Sequence, residues 1–458
     1  MKPGERIASF LGLRRNIVLL LAALTAIGFG EELWLRFVPK YLELLGAGIW
    51  VIGGYDALRT LLGALYAYPG GVATDQWGHR RALLAFTLAS LVGYAVMLVV
   101  PHWGAVLAAT FLFSAWSFFS LPATFSLVAA TLGSDQYTMG IGVQSLVKRI
   151  PILIGPVLGG MLLDSLGIIH GMRVGLLVGI GLGAAALVVQ SKIDETALPS
   201  SERGRGLVSV VREFSPELRR LLLSDILIRF CERIPYAWLV IYAMTTLGVS
   251  GQTFGWLTSV EIATAMICFI PIARLADRHG REPFVLATFG FFTLFPLLLL
   301  FSGSPAMLFV AFIVRGLKEF GDPARKALIV TLAPEDARGR TVGAYYLIRD
   351  LTVTPGAFLG AALWAISPQA NFLAAFLIGI AGSLVYAATF RRARPSGGGE
   401  ADFPVRDRSR TRSRCTSGRE PPDFIPPIAR GPKRILTAAA LGRRPPILVP
   451  TAQFSLLR

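Results

Sequence analysis

Runs of roughly 20 mainly apolar residues, the length a helix needs to cross a hydrocarbon layer about 30 Å thick, recur along most of this sequence. Six occupy its first part, near Asn16 to Val38, Trp50 to Gly71, Ala82 to Val100, Ala105 to Thr131, Gly140 to Leu163 and Val174 to Gln190. Six more follow a polar gap, near Leu221 to Met244, Phe254 to Ala273, Phe284 to Phe301, Ala306 to Leu332, Val342 to Ile366 and Phe372 to Phe390. In lipid only helices or closed barrels satisfy every backbone polar group, and these runs are too long and continuous for barrel strands. The predicted class is an all-α polytopic membrane protein with twelve transmembrane helices. With 53% hydrophobic and 16% charged residues, the chain carries more apolar side chains than a soluble core absorbs. The first run is long and lacks a small-residue cleavage site followed by polar sequence, so it is expected to stay in the protein.

The apolar pattern divides the chain into an N-terminal six-helix half (1–192), a cytoplasmic connector (193–220), a C-terminal six-helix half (221–390) and a tail (391–458). The formal net charge of +17 would raise nucleic-acid binding in a soluble protein, but its distribution argues otherwise. After Phe390 stand 15 Lys or Arg and 5 Asp or Glu, so +10 of the charge belongs to a basic, Pro/Arg-rich tail expected to be disordered. Most of the other Lys and Arg flank alternate ends of the runs: Arg14 and Arg15, Arg80 and Arg81, Arg212 to Arg220, Arg278 and Arg281. The opposite connections, near 44–48, 101–104, 247–251, 302–305 and 367–371, have none, with Lys40 and Arg173 as exceptions on that side. By the positive-inside rule the protein sits in the cytoplasmic membrane with both termini cytoplasmic.

The sequence also matches itself at an offset of 201 residues, and long-period repeats decide architecture. Phe29 and Glu31 correspond to Phe230 and Glu232; Phe111, Phe119, Pro122 and Ala123 to Phe312, Phe320, Pro323 and Ala324; Asp135 to Asp336. The register continues through Gly142 with Gly343, Gly155 with Gly356 and Gly159 with Gly360, while Lys148 meets Arg349. A shared apolar bias does not produce such matches. Two pseudo-symmetric halves follow, with a binding site near mid-membrane between them.

Between the second and third runs the sequence reads Gly71-Val-Ala-Thr-Asp75-Gln-Trp-Gly78-His-Arg80-Arg81, and the same loop of the second half reads Leu275-Ala-Asp277-Arg-His-Gly280-Arg281. A glycine permits the tight turn, and an aspartate at a helix end can pair with arginines or a neighbouring helix N-terminus and lock a cytoplasmic gate. In the fifth run stands Gly155-Pro156-Val-Leu-Gly159-Gly160, where small residues let helices approach closely. The loops resemble the G-x-L-A-D-R-x-G-R-K loop of the major facilitator superfamily, and the fifth-run motif is similar to the G-P-x-x-G-G signature of its proton-driven drug and metabolite exporters. The resemblance covers residues near 14 to 390. It departs at Thr74, Gln76 and His79 in the first loop and at Ala273 and Glu282 in the second, and the fourth run lacks the arginine those exporters usually carry. What it implies is a proton-coupled exporter working by alternating access, with runs 1, 4, 7 and 10 lining a central cavity; uptake by symport, facilitated movement and a non-transporting sensor or scaffold stay open.

A charge in hydrocarbon costs a few kcal/mol or more unless it faces a partner or a polar cavity. Glu31, Glu32 and Arg36 fall in run 1, Asp225, Arg229, Glu232 and Arg233 in run 7, and Arg315, Lys318, Glu319, Asp322 and Arg325 in run 10, spaced as one helix face. Mutually neutralising pairs are the expectation for Asp56, Arg59 and Glu261. For Glu31, Glu32 and Glu232 proton coupling is expected, because the repeat puts a carboxylate near mid-membrane in both halves, with Arg315 and Lys318 as counter-charges or as the grip on an anionic solute. The four histidines and three cysteines form no metal or acid–base cluster, and no phosphate-binding glycine loop followed by Lys and Ser or Thr appears. The chain is therefore expected to be no enzyme and to need no cofactor or metal. Its expected partners are a small solute, protons and lipid but not nucleic acid, and it is expected to act as a monomer.

Overall fold

A computed structural model describes residues 14–131, 134–194, 207–334 and 338–391, with a few helical side chains inside these ranges, Asp277 among them, left out. The expectations for the tail, for most of the connector and for the Asp135 and Asp336 side chains lie outside the described residues.

Every described element is helical. In chain order they are α1 (Arg15–Glu32), a 3-10 turn (Leu35–Phe37), α2 (Val38–Leu44), α3 (Ile49–Trp77), α4 (His79–Val99), α5 (Trp103–Thr131), α6 (Ser134–Leu166) and α7 (Ile168–Gln190). After a short α8 (Leu207–Arg212) come α9 (Pro216–Tyr236), α10 (Trp238–Ile241), a π-helical turn (Tyr242–Thr246), α11 (Gly251–His279), α12 (Glu282–Phe301), α13 (Pro305–Leu317), α14 (Asp322–Leu332), α15 (Arg338–Val353), α16 (Pro355–Ile366) and α17 (Pro368–Arg391). The helices α1, α3, α4, α5 and α7 begin 201, 202, 203, 202 and 200 residues before α9, α11, α12, α13 and α17. The self-similarity of the sequence is thus carried into the element boundaries.

Among the described residues seven helical stretches are long and apolar enough to span a membrane, from Arg15–Leu44 to Pro368–Thr389. Several other predicted spans are interrupted or charged: α9 carries Asp225, Arg229, Glu232 and Arg233, and α13 stops before α14. Large apolar side chains such as Leu177, Ile267 and Leu384 are more than half exposed. Such exposure is what a lipid-facing surface requires, whereas in water it would mark an interaction patch.

The apolar core explains how the halves meet. One cluster unites both halves at the end away from the start of α1 and the end of α17, joining Phe37, Leu42 and Leu163 to Trp238, Phe254 and Phe312. Toward the other end the core divides into one cluster centred on the first half, including Ile17, Ala82 and Leu127, and one centred on the second, including Leu221, Phe289 and Tyr345, with connector residues joining each. Glycines make the close contacts at the united end. A Cβ on Gly160 would lie 2.1 Å from the carbonyl oxygen of Gly251, one on Gly255 2.3 Å from that of Pro156, and one on Gly53 2.7 Å from Ala361 Cβ.

Candidate functional site

The first and seventh apolar runs break where their charges lie. α1 ends at Glu32 and resumes as α2 only after the 3-10 turn that holds Arg36, while α9 ends at Tyr236 just after Glu232 and Arg233, followed by α10 and the π-helical turn. Such breaks are tolerated at membrane depth where protein buries the freed backbone groups or a cavity faces them. Here they border a cavity between the halves, lined by Glu31, Glu32 and Arg36, by Tyr55, Asp56 and Arg59 of α3, by Trp116, Ser117 and Ser120 of α5, by Lys148 and Pro151 of α6, and by Tyr236, Thr258 and Arg315.

Within it Glu31 is buried, and both its carboxylate oxygens accept from Ser117 Oγ at 2.8 and 3.0 Å. Glu32 pairs with Arg36 Nε at 3.1 Å. Asp56 pairs across the halves with Arg233 Nη1 at 2.7 Å. The Tyr236 ring is flanked by the guanidiniums of Arg233 at 4.8 Å and Arg315 at 5.7 Å, a cation–π arrangement that seats both cations beside the cavity. Mutual neutralisation therefore describes Asp56. Arg59, expected to be neutralised as well, has no carboxylate within ion-pair distance among the described residues, and its buried Nε lacks a hydrogen-bond partner.

The helix-face reading of run 10 needs correction. α13 ends at Leu317 and α14 begins at Asp322, and between them Lys318, Glu319 and Phe320 donate backbone N–H bonds three residues back in tight turns. The cause is local. Gly316 lies against the Glu261 carbonyl, Gly321 against that of Phe284, and Pro323 has no backbone N–H to continue an α-helix. The five charges accordingly fall into three groups rather than one stripe. Lys318 reaches Glu232 at 2.9 Å and Glu261 at 3.2 Å, and Arg315 also reaches Glu261 at 3.3 Å. Glu319 meets Arg149 of the first half at 3.6 Å, while Asp322 binds Arg325 and Lys326 at 2.5 and 2.6 Å. Glu232, also paired with Arg229 at 2.7 Å, borders a smaller side pocket rather than the main cavity. Glu261 is neutralised as expected.

The gate loops share one backbone geometry: Gly78 has φ 82° and ψ 161°, and Gly280 has φ 86° and ψ 156°, a region that favours glycine. Asp75, Arg80 and Arg81 are exposed, Gly71 is half-buried, and Arg281 donates to Thr331 Oγ1 at 2.8 Å. Among the described residues no ion pair joins Asp75 to Arg80 or Arg81.

The fifth-span motif does more than pack helices within one half. Gly155 abuts Glu32 and Gly159 abuts the Leu33 carbonyl, whereas Gly160 abuts Gly251 of the other half. One turn on, Asp164 accepts the backbone N–H groups of Gly251 at 2.7 Å and Gln252 at 2.8 Å, capping α11 across the interface. Sequence reasoning passed over Asp164, because an aspartate at the end of a span reads as an ordinary interfacial residue. Lys40 adds a second tie, bonding Glu43 at 2.5 Å and Thr245 of the other half at 2.6 Å. Asp164→Ala removes two charge-assisted bonds of about 1.5–3 kcal/mol each, so the united end is expected to open in a large fraction of molecules. Spin labels replacing Leu44 and Met307, exposed at that end on opposite halves, should then show a longer distance population. An unchanged distribution would refute the role.

Among the described residues no group of three His, Cys, Asp or Glu is placed to hold a metal ion. A profile of the Major Facilitator Superfamily matches residues 221–455. The chain is 23% identical over 366 residues, 76% of its length and 88% of the relative's, to a multi-drug resistance efflux pump PmrA homolog of Lactococcus lactis subsp. lactis. Among solved structures it superimposes on the nucleoside transporter NupG with a TM-score of 0.71 at 11% identity, covering 83% of this chain and 100% of that one. A bacterial homolog of the human lysosomal transporter Spinster, in an inward-facing and unoccupied conformation, gives 0.65 at 14%, covering 87% and 100%. At these identities the structural likeness is one of fold, and family and fold are those of transporters rather than enzymes.

Proposed function

We propose, for a chain that belongs to the major facilitator superfamily, a secondary transporter that moves a small solute across the cytoplasmic membrane by alternating access, as a proton-coupled exporter of twelve spans in two pseudo-symmetric halves. One observation carries the reading: a charged cavity lies between halves whose apolar cores fuse at one end and stay separate at the other. A chamber sealed at one end by packing and tied there by the Asp164 cap is one of the two states alternating access needs. By the positive-inside argument the separated end is cytoplasmic. The efflux name of the Lactococcus lactis relative supports the outward direction, as does the Gly155-Pro156 motif.

Proton-coupled uptake is the second reading, and the pairing pattern favours it. If Glu31 shares its cations with the solute, a proton on Glu31 and an anion in the cavity stabilise each other's binding, and jointly bound species travel together. Purified protein in liposomes, given a solute panel and an imposed pH gradient, tests both. Movement of a solute against its gradient, driven by protons, is the expected result, and its direction selects between the readings. Solute movement indifferent to the gradient leaves a facilitator, and no movement above empty liposomes for any solute sinks transport.

A further inference from the structure

The charges lining the cavity do not cancel locally. Of its four cations, Arg36 is held by Glu32 at 3.1 Å and Arg315 by Glu261 at 3.3 Å, while the Asp56 carboxylate is taken by Arg233 at 2.7 Å. That leaves Arg59 and Lys148 sharing one carboxylate, Glu31, and among the described residues neither lies within ion-pair distance of an acid. The oxygens of Glu31 are turned to Ser117 instead. The groups that act on Glu31 come from every neighbouring element: Arg59 on α3, Tyr94 on α4, Ser117 on α5, Lys148 on α6 and Glu32 beside it. A surplus positive charge in a poorly solvated chamber is costly until an anion meets it. The walls beside it are aromatic, with Tyr55 one helical turn before Arg59 and Trp116 and Phe118 on either side of Ser117.

We infer that the transported solute is an amphipathic organic anion, its carboxylate, sulfonate or phosphonate head held between Arg59 and Lys148 and its apolar body laid against Tyr55, Trp116 and Phe118. This rests on the transport reading, in its proton-coupled uptake form, and names the solute class for it. A guanidinium offers a planar fork to such a head and an ammonium a mobile point charge, so the pair grips the head group while the aromatic walls set the size and shape of the rest. A cationic solute meets the opposite situation, since the carboxylate left for it already faces two positive groups. Glu31 acts as the internal competitor. Ionised, it partly neutralises the two cations; protonated, it leaves them to the solute, so the anion binds more tightly as the medium is acidified.

Three probes on one scaffold separate charge from shape: 2-naphthoate, its uncharged methyl ester and 2-naphthylmethylammonium. Equilibrium dialysis on the purified full chain should show naphthoate binding at least about tenfold more tightly than either of the others. Arg59→Gln and Lys148→Gln should each weaken naphthoate roughly tenfold and leave the ester unchanged, with Arg59→Lys and Lys148→Arg recovering most of the loss. In the Lys148→Arg background, where both cations stay charged across the range, acidification from about pH 8 to about pH 6, where naphthoate stays ionised, should tighten naphthoate binding and have no effect once Glu31→Gln is added. Equal or tighter binding of the ammonium probe, absence of naphthoate binding, or glutamine variants that bind naphthoate like the native chain, overturns the inference. Flux in liposomes keeps the two claims apart. Naphthoate flux untouched by Arg59→Gln, or flux of the ammonium probe in place of naphthoate, removes the anion site and keeps the transporter, whereas charge-selective binding without flux of any probe keeps the anion site and removes the transporter.

Discussion

Asp225→Ala is expected to deplete the protein from the membrane, with a loss of about 3–5 kcal/mol, the range for leaving a buried partner uncompensated. Asp225 is completely buried on α9 and gathers four groups from three helices. Its Oδ1 accepts from Arg325 at 2.6 Å, and its Oδ2 accepts from Tyr345 at 3.2 Å and Arg349 at 3.4 Å. Arg229, one turn along α9, lies 3.9 Å away. Without the carboxylate Arg325 keeps Asp322 and Arg349 keeps Asp350. Both guanidiniums are nonetheless almost wholly buried and lose the acid that fixes α9 against α14 and α15. Against a total stability of roughly 5–15 kcal/mol this is a large fraction. The measurement is the amount of folded protein in the membrane fraction, with the thermal midpoint of what can be purified. Asp225→Leu combined with Arg349→Leu separates charge from packing: replacing a buried pair by apolar groups is often neutral, so the double variant should recover much of what either single change loses. A single alanine variant with native abundance and midpoint would show that Asp225 is not a structural anchor.

The contrast between Asp225 and Glu31 shows how far the sequence carried the argument. The positions of the long apolar helices and the 201-residue register were legible because helix length, hydropathy and repetition are properties of the chain itself, whereas the breaks that follow Glu32 and Tyr236 fall inside runs that read as continuous. Which charge meets which is decided by packing between distant segments. Asp56 and Arg233 are 177 residues apart and contact only because α3 of the first half packs against the second half. Intervals of three, four and seven residues from Arg315 to Asp322 imply a single face only if the helix is continuous, and the glycines and proline between them are the signal that it is not. Glu31 and Glu232 occupy equivalent positions in the two repeats but not equivalent surroundings. Glu232 is clamped between Arg229 and Lys318, while among the described residues Glu31 accepts only from a hydroxyl. Equal spacing promised equal roles, and the partners each carboxylate found are what separate them.

That difference sets the expected outcome of neutralising each one. Glu31→Gln should abolish proton-driven transport while leaving the protein in the membrane, because glutamine keeps the side-chain length and an oxygen for Ser117 but cannot take up and release a proton. Solute exchange with no pH gradient should persist, since the chamber, its aromatic walls and the cations Arg59 and Lys148 remain. What should vanish is the response to an imposed gradient and the proton uptake or release that accompanies solute binding, which a weakly buffered binding experiment reads directly. Glu232→Gln is expected to stop gradient-driven transport as well, but with a cost the Glu31 variant does not share. Neutralising it leaves Arg229 unpaired by its nearest acid and Lys318 dependent on Glu261 alone, so its thermal midpoint should fall while that of Glu31→Gln stays near native. If both variants support unchanged proton-driven counterflow, neither carboxylate couples protons to solute. If only Glu31→Gln does, the coupling acid lies in the second half and the competition of Glu31 with an anion for Arg59 and Lys148 plays no part in the cycle.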